Sequence, residues 1–414
     1  MKARQAPLSQ AGNATRWKAI LKLLSGSGLA VVISLLVAPL LTRLFSPESF
    51  GWLGWGTAAC ALLVPLATGT LEQGIIAAED EQHAAQLVLA IQGLALRVSF
   101  AVGIVAVALA LGDLIPSALA AYVPSALLLN AQCVPVYFWA NRQARYSTIA
   151  LGRIAQSIAV AATGITLGST IDATHGLLWA NVAGLLVWWL WLRKDRPRGV
   201  TPAPLWRTLQ PELNYARWTM PSTWVSTLTS QMPLWALSWF HGSAAAGTWV
   251  LAQRITSTPS SLIGSSVSDV FRQRASAELR LHGTCESTIR TQAKELLLIA
   301  APGTIVLAAF GPALFAMIFG PNWHTAGTYA ATTAAVFFCH LTISPLTGML
   351  LLRRRQRLGF IYNAALFSGA AFSFLAGWAG GDPPAILLAW SLGLSLIYVC
   401  YMHTAFRLAQ PIPR

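Results

Sequence analysis

Four arginines stand inside apolar stretches of this chain, at Arg43, Arg97, Arg153 and Arg254. A guanidinium presents a rigid fork of N–H donors that matches the oxygens of a phosphate. Placed in hydrocarbon it costs about 2.5–3.5 kcal/mol on insertion scales, so it must face protein, water or a ligand. Arg97 lies about eleven residues into its stretch, ~16 Å along a helix and close to a bilayer midplane. Arg254, within Ala252-Gln-Arg-Ile-Thr-Ser-Thr-Pro259, lies about two helical turns from one surface, and Arg153 about two turns from the other. Arg43 closes its stretch, where a long side chain reaches water easily. Two readings stand open for each: an anion site lining a cavity, or a structural arginine bonded to carbonyls or reaching the interface. No carboxylate is placed at mid-depth, and cations at depth without buried acids favour an anionic cargo over a cationic one.

His340 falls at membrane depth and titrates ordinarily near neutrality, which suits proton coupling; a hydrogen-bonded core histidine is the other reading. Gln92, Asn130, Gln132, Gln156, Asn181 and Gln231 add polar groups at depth, some to line a cavity and others to bridge helices. No P-loop, HExxH, GxSxG or paired histidines occur, which sets aside nucleotide hydrolysis and zinc chemistry. The expected protein is therefore not an enzyme and needs no cofactor or metal.

The elements that must hold these residues are twelve apolar stretches, at 25–44, 51–71, 85–111, 115–138, 148–169, 174–192, 218–240, 245–270, 295–318, 326–351, 359–379 and 384–404. Each approximates the ~20 residues that carry a helix across a bilayer, and lipid offers backbone groups no partner outside a helix. The chain is 55% hydrophobic and only 10% charged, far from a soluble protein. Of its 28 Lys and Arg, all but the four above fall in the N-terminal segment, the C-terminal segment or alternate gaps. That alternation explains the net charge of +14 as topology rather than nucleic-acid binding, and puts both termini in the cytoplasm. The first stretch reads as a retained helix rather than a cleaved signal. The five cysteines show neither disulfide nor metal spacing.

The basic, proline-rich segment 193–217 divides the helices six and six. The expected organisation is a tail 1–24, a bundle 25–192, the linker 193–217, a second bundle 218–404 and a tail 405–414. Internal similarity supports it: Phe45…Gly51-Trp52 matches Phe240…Gly247-Thr-Trp249, Pro65 matches Pro259, and Arg142-Gln143 matches Arg355-Gln356. Six plus six with both termini on one side means parallel repeats about an axis along the membrane normal, facing a central cavity and working by alternating access. Pro65 and Pro259 would bend the second helix of each bundle.

In this setting Leu24-Ser-Gly-Ser-Gly-Leu-Ala30, Ala38-Pro-Leu-Leu-Thr-Arg-Leu-Phe-Ser-Pro-Glu-Ser-Phe-Gly51, Asn141-Arg142, Ala252-Gln-Arg-Ile255 with Pro259, and Phe319-Gly-Pro-Asn-Trp323 with Ala326-Gly327 follow one another in order. Over roughly 20–405 the chain resembles bacterial lipid-linked oligosaccharide flippases of the Wzx type, in the multidrug/oligosaccharidyl-lipid/polysaccharide exporter superfamily that includes MATE proteins. Leu71-Glu72-Gln73-Gly74-Ile75 keeps only Glu and Ile of a motif common in that family. The resemblance implies a MATE-like all-α membrane protein of the bacterial inner membrane. It also implies a cargo, a polyprenyl-pyrophosphate carrying an O-antigen or exopolysaccharide repeat unit, with membrane lipids and polysaccharide polymerase or assembly proteins as partners. Arg97, Arg254, Arg153 and Arg43 would then bind substrate. The competing expectations are a MATE-like antiporter of another small molecule, which needs an essential buried acid, and a membrane glycosyltransferase or polymerase, which needs a catalytic outer loop.

Overall fold

The computed structural model describes residues 31–170, 173–200, 204–353 and 355–410. The tail 1–24 and Leu24–Ala30 lie outside them. The chain is an all-α, multi-pass membrane protein, and its helices follow the apolar stretches. They are α1 (Val31–Leu44 as described), α2 (Pro47–Thr68), α3 (Glu81–Leu111), α4 (Ser117–Arg142), α5 (Tyr146–Thr170), α6 (Ala173–Leu192), α7 and α8 (213–241 and 243–282), α9 (Glu286–Phe319), α10 (324–352), α11 (Gln356–Trp378) and α12 (Pro383–Ala409).

The termini of these helices have local causes. The Ser46 hydroxyl accepts from Ser49 N at 3.4 Å, with Pro47 at the first helical position. Asp80 and Asp382 cap α3 and α12 by accepting from His83 N and Ala385 N. Gly69 and Gly283 end α2 and α8 at φ 63° and 68°, where a glycine meets no Cβ penalty. Gly242, at φ 83°, ψ 178°, is the single residue with non-helical angles in the run Leu213–His282, and it separates α7 from α8.

Three boundaries differ from the hydropathy reading. The basic segment 271–294 is mostly helix, because the end of an apolar run marks where lipid stops, not where backbone hydrogen bonding stops. The stretch 326–351 is broken: the chain bends by 51° between Pro321–Thr332 and Ala334–Leu350, and the Thr333 hydroxyl bonds back to Tyr329 O at 2.7 Å beside the break. Pro65 stands one turn from the end of α2, and a short helix Glu72–Ala77 follows. Arg142 donates to Ile75 O, Ile76 O and Ala78 O at 2.7–3.1 Å and so satisfies carbonyls at the end of that short helix. Pro259 lies inside continuous helix in α8.

Helices α2 to α6 pack on one another, as do α9 to α12 with α7 and α8, and the most extensive pairing of all is α2 against the run of α7 and α8. That pairing is backbone against backbone. A Cβ on Gly51 would stand 2.0 Å from Ser243 O, and one on Gly247 would stand 1.7 Å from Pro47 O. Lipid tails are as apolar as leucine, so helices in a bilayer associate through such close approach rather than by leaving water. Along the same seam Trp55 Nε1 donates to Ser238 Oγ at 2.5 Å and Trp224 Nε1 to Leu62 O at 3.0 Å. Nearby, Trp323 Nε1 donates to Thr42 O at 2.9 Å, the Thr42 hydroxyl donates to Phe319 O at 3.2 Å, and the Trp323 ring meets Phe50 edge-on at 5.0 Å. The turns α1–α2, α7–α8 and α9–α10 therefore lock together at one end of the molecule.

Beyond the apolar part of α8, the Glu278 carboxylate accepts from the Thr288 N–H at 3.1 Å and from the hydroxyls of Ser287 and Thr288. Burial raises its pKa and these hydrogen bonds outweigh that, leaving it below its ordinary value.

Two expectations follow from this packing. Gly247→Ala should lower stability by about 1–3 kcal/mol or more, because backbone must move, whereas Gly303→Ala, with open space at its Cβ, should not. Thermal unfolding in detergent measures both, and equal midpoints would contradict the seam. The depressed Glu278 pKa makes its contribution fully present above the unfolded value of ~4.3 and lost as pH falls through the folded one. The protection factors of amides across the α8–α9 turn, which remove the intrinsic pH dependence of exchange, should fall below about pH 4 in wild type and not in Glu278→Gln; an unchanged profile would contradict it.

Candidate functional site

Helix α5 presents Arg153, Gln156, Ser157 and Val160 at spacings of three, four and seven, which puts them on one face. Small residues let that face approach its neighbours. Gly152 lies against the rings of Trp188 and Trp191, Gly164 against Leu41, and Gly184 of α6 against Val160. The face looks into a cavity of about 510 Å³. The other walls are Val31, Ser34, Val37 and Leu41 of α1, Leu53 and Thr57 of α2, Leu177 and Asn181 of α6, and Val250 and Arg254 of α8.

Two of the four arginines thus share one space, one from α5 and one from α8. The Arg153 guanidinium lies 4.5 Å over the Trp188 ring and donates to Gln156 Oε1 at 3.0 Å. Stacking and hydrogen bond together fix its direction and leave other N–H donors for a ligand. Arg254 donates to the Ser34 hydroxyl. Asn181 accepts from the Tyr122 hydroxyl at 2.9 Å, which leaves its amide N–H groups to donate. The Thr57 hydroxyl donates to Leu53 O and Gly54 O at 2.8 and 3.0 Å and keeps an acceptor side. No carboxylate lines the cavity among the described residues. The arrangement is two cations with amides and hydroxyls, suited to a phosphate-bearing or polyhydroxylated ligand.

The other sequence candidates lie elsewhere. Arg97 is exposed, on a face of α3 otherwise formed by Leu96, Phe100, Ile104, Val105 and Leu111. It is not part of this cavity: the sequence puts Arg97 near the middle of its helix but does not give its direction around that helix. Arg43 is exposed at the end of α1, two residues beyond the cavity wall. His340 packs in the other half, edge-on to Tyr398 at 5.9 Å, and that ring in turn meets Tyr362 at 6.1 Å. Gln92 and Gln132 bridge α3 and α4 reciprocally, each side-chain amide donating to the other's backbone oxygen at 3.1 and 2.8 Å. Ser34, Thr57, Tyr122 and Trp188 were not singled out by sequence. Serine and threonine give little hydropathy signal, and a single tyrosine or tryptophan in an apolar stretch carries no spacing that would mark it.

Residues 40–327 match the family described as polysaccharide biosynthesis protein. Comparison with curated proteins gives no match. Among solved structures the chain is similar to the lipid II flippase MurJ in an inward closed conformation, at TM-score 0.74 and 13% identity over 92% of this chain and 87% of that one. It is similar to an inward-facing multidrug resistance MATE family transporter of the MOP superfamily, at TM-score 0.70 and 12% identity over 91% and 94%. It also resembles a MOP superfamily transporter from Pyrococcus furiosus described by the reverse polarity of its binding pocket, at TM-score 0.57 and 11% identity over 95% and 96%.

A cationic cavity of this kind should be stabilised by an anion that fits it. Inorganic pyrophosphate should stabilise purified wild type by about 2.7 kcal/mol at a hundred times Kd, and so raise its unfolding midpoint, and leave that of an Arg153→Met, Arg254→Met double variant unmoved. Equal shifts in both proteins would remove the two arginines from the site.

Proposed function

The chain belongs to the polysaccharide biosynthesis protein family, and from that premise we propose that it is a flippase for a polyprenyl-pyrophosphate-linked oligosaccharide, moved from the cytoplasmic to the outer leaflet of a bacterial inner membrane. The observation that carries this reading is the meeting of Arg153 and Arg254, from the two halves, in one cavity with no carboxylate among the described residues that line it. A pyrophosphate is the part of such a cargo that hydrocarbon rejects most strongly. Two guanidiniums and the Asn181 amide would replace its water, and Gln156, Thr57 and Ser34 would meet sugar hydroxyls. The polyprenyl chain would remain in lipid.

With the basic segments placed in the cytoplasm by the positive-inside rule, the locked turns at Gly51, Gly247 and Trp323 lie on the outer side. Both termini are then cytoplasmic. Transport would proceed by rocking the bundles 25–192 and 218–404 about the α2 seam, with 193–217 as the connection and Pro65 and Pro259 as bending points. His340 is the coupling candidate, acting from within the second bundle rather than in the cargo cavity. A MATE-like antiporter of a cationic cargo is disfavoured by the same absence of an acid from the cavity wall. O-antigen or exopolysaccharide repeat units are the cargo class that family membership favours. The same reading makes the chain a translocator, not an enzyme.

The test is complementation of a deletion strain, scored by surface polysaccharide and by lipid-linked repeat units on each face of the inner membrane. Arg254→Ala and Arg153→Ala should each weaken cargo binding by roughly 10–100-fold, the worth of a charge-assisted hydrogen bond, and trap repeat units on the cytoplasmic face. Arg254→Lys should keep part of the activity. Full transport by both alanine variants at normal expression would overturn the site. Normal surface glycan in the deletion strain would overturn the function.

A further inference from the structure

Arg97 is left without a task by the cavity. It stands at the middle of the 31-residue α3, sixteen residues from Glu81 and fourteen from Leu111, about 24 and 21 Å from the two ends. Among the described residues no hydrogen bond or ion pair reaches its guanidinium. Its surroundings are lipid-facing: Leu96, Phe100 and Ile104 are 55%, 71% and 59% exposed.

Beside it, α3 and α4 leave an apolar groove of about 640 Å³. Phe100 and Ile104, three and seven residues beyond Arg97 and therefore on its face of the helix, form the near wall. Ser99 and Gly103 on α3 and Ala121 and Ser125 on α4 are small residues spaced by four, the pattern that lets a further helix approach closely. Ser125 satisfies its hydroxyl on Ala121 O at 2.7 Å. Ser99, only 4% exposed, has a hydroxyl with no partner among the described residues.

We propose that this groove is the docking site for a transmembrane helix of another membrane protein, one that carries a carboxylate at mid-depth to pair with Arg97. Charge complementarity selects that occupant. A phospholipid head group stays at the interface, and an arginine side chain cannot span the distance from the middle of α3 to it. A second copy of this chain in two-fold contact would set Arg97 against Arg97. A helix with one Asp or Glu satisfies the guanidinium in hydrocarbon, where both charges are otherwise costly, and fits a groove with small residues along it.

The test uses the full-length protein in phosphatidylcholine vesicles with a dansyl-labelled transmembrane peptide of leucine and alanine carrying one central Glu. A second peptide carries Gln at the same position. Energy transfer from the tryptophans of the chain reports docking. The Glu peptide should bind about tenfold more tightly than the Gln peptide. That preference should vanish in Arg97→Gln and survive in part in Arg97→Lys. Gly103→Leu, which fills the groove, should weaken both peptides, and its unfolding midpoint shows whether the protein is intact. Equal binding of the two peptides, a preference that persists in Arg97→Gln, or displacement of the Glu peptide by a polyprenyl phosphate would each overturn the proposal. None of these outcomes bears on the Arg153–Arg254 cavity, so the two readings fail separately.

Discussion

The contact between Gly51 and Gly247 governs how this molecule is put together. Each glycine lets backbone meet backbone where a single Cβ would overlap a carbonyl oxygen of the neighbouring helix. Because α2 lies so close to the run of α7 and α8, Trp55 reaches Ser238 and Trp224 of α7 reaches Leu62 across the same seam. The α1–α2 turn is brought within hydrogen-bonding reach of Trp323 in consequence. Arg254, seven residues beyond Gly247 on α8, is carried by the same seam to the wall formed by α1 and α5. The cavity shared by Arg153 of α5 and Arg254 of α8 depends on this close approach of α2 and α8.

The bilayer imposes a second constraint, and the polar residues show three answers to it. Gln92 and Gln132 satisfy one another's backbone across α3 and α4. Arg153, Gln156, Asn181 and Arg254 gather around one cavity whose remaining wall is largely apolar. Arg97 does neither and faces outward, which turns a cost of insertion into a requirement for something outside the chain. Polar residues within apolar helices thus meet different surroundings according to the direction in which they point.

Much of this was legible in the sequence. The positions of the apolar stretches, the pairing of Gly51 with Gly247 as repeat equivalents, and the arginines at depth all stand in the chain itself. The glycine pair was legible as similarity between two turns; that the two glycines touch each other was not. Hydropathy placed the edges of α8 and α9 too early and too late, because helix continues past the lipid boundary through 271–282 and begins again at Glu286. It read 326–351 as one helix, since a break at Thr333 costs nothing in apolar character.

The sequence by itself determined which segments are apolar helices and where along each of them the charged residues stand, because lipid rejects charge and unpaired backbone whatever the packing. Only the tertiary structure decided which way each helix turns its faces. In water an amphipathic pattern would announce that direction, but here the core and the lipid are equally apolar, and a helix such as α3 reads the same on both sides. Arg97 and Arg153 are alike in the sequence as cations within apolar helices, and both are exposed; the packing of α5 on Trp188 sets one in the wall of the cavity, and the position of α3 at the edge of its bundle leaves the other away from it.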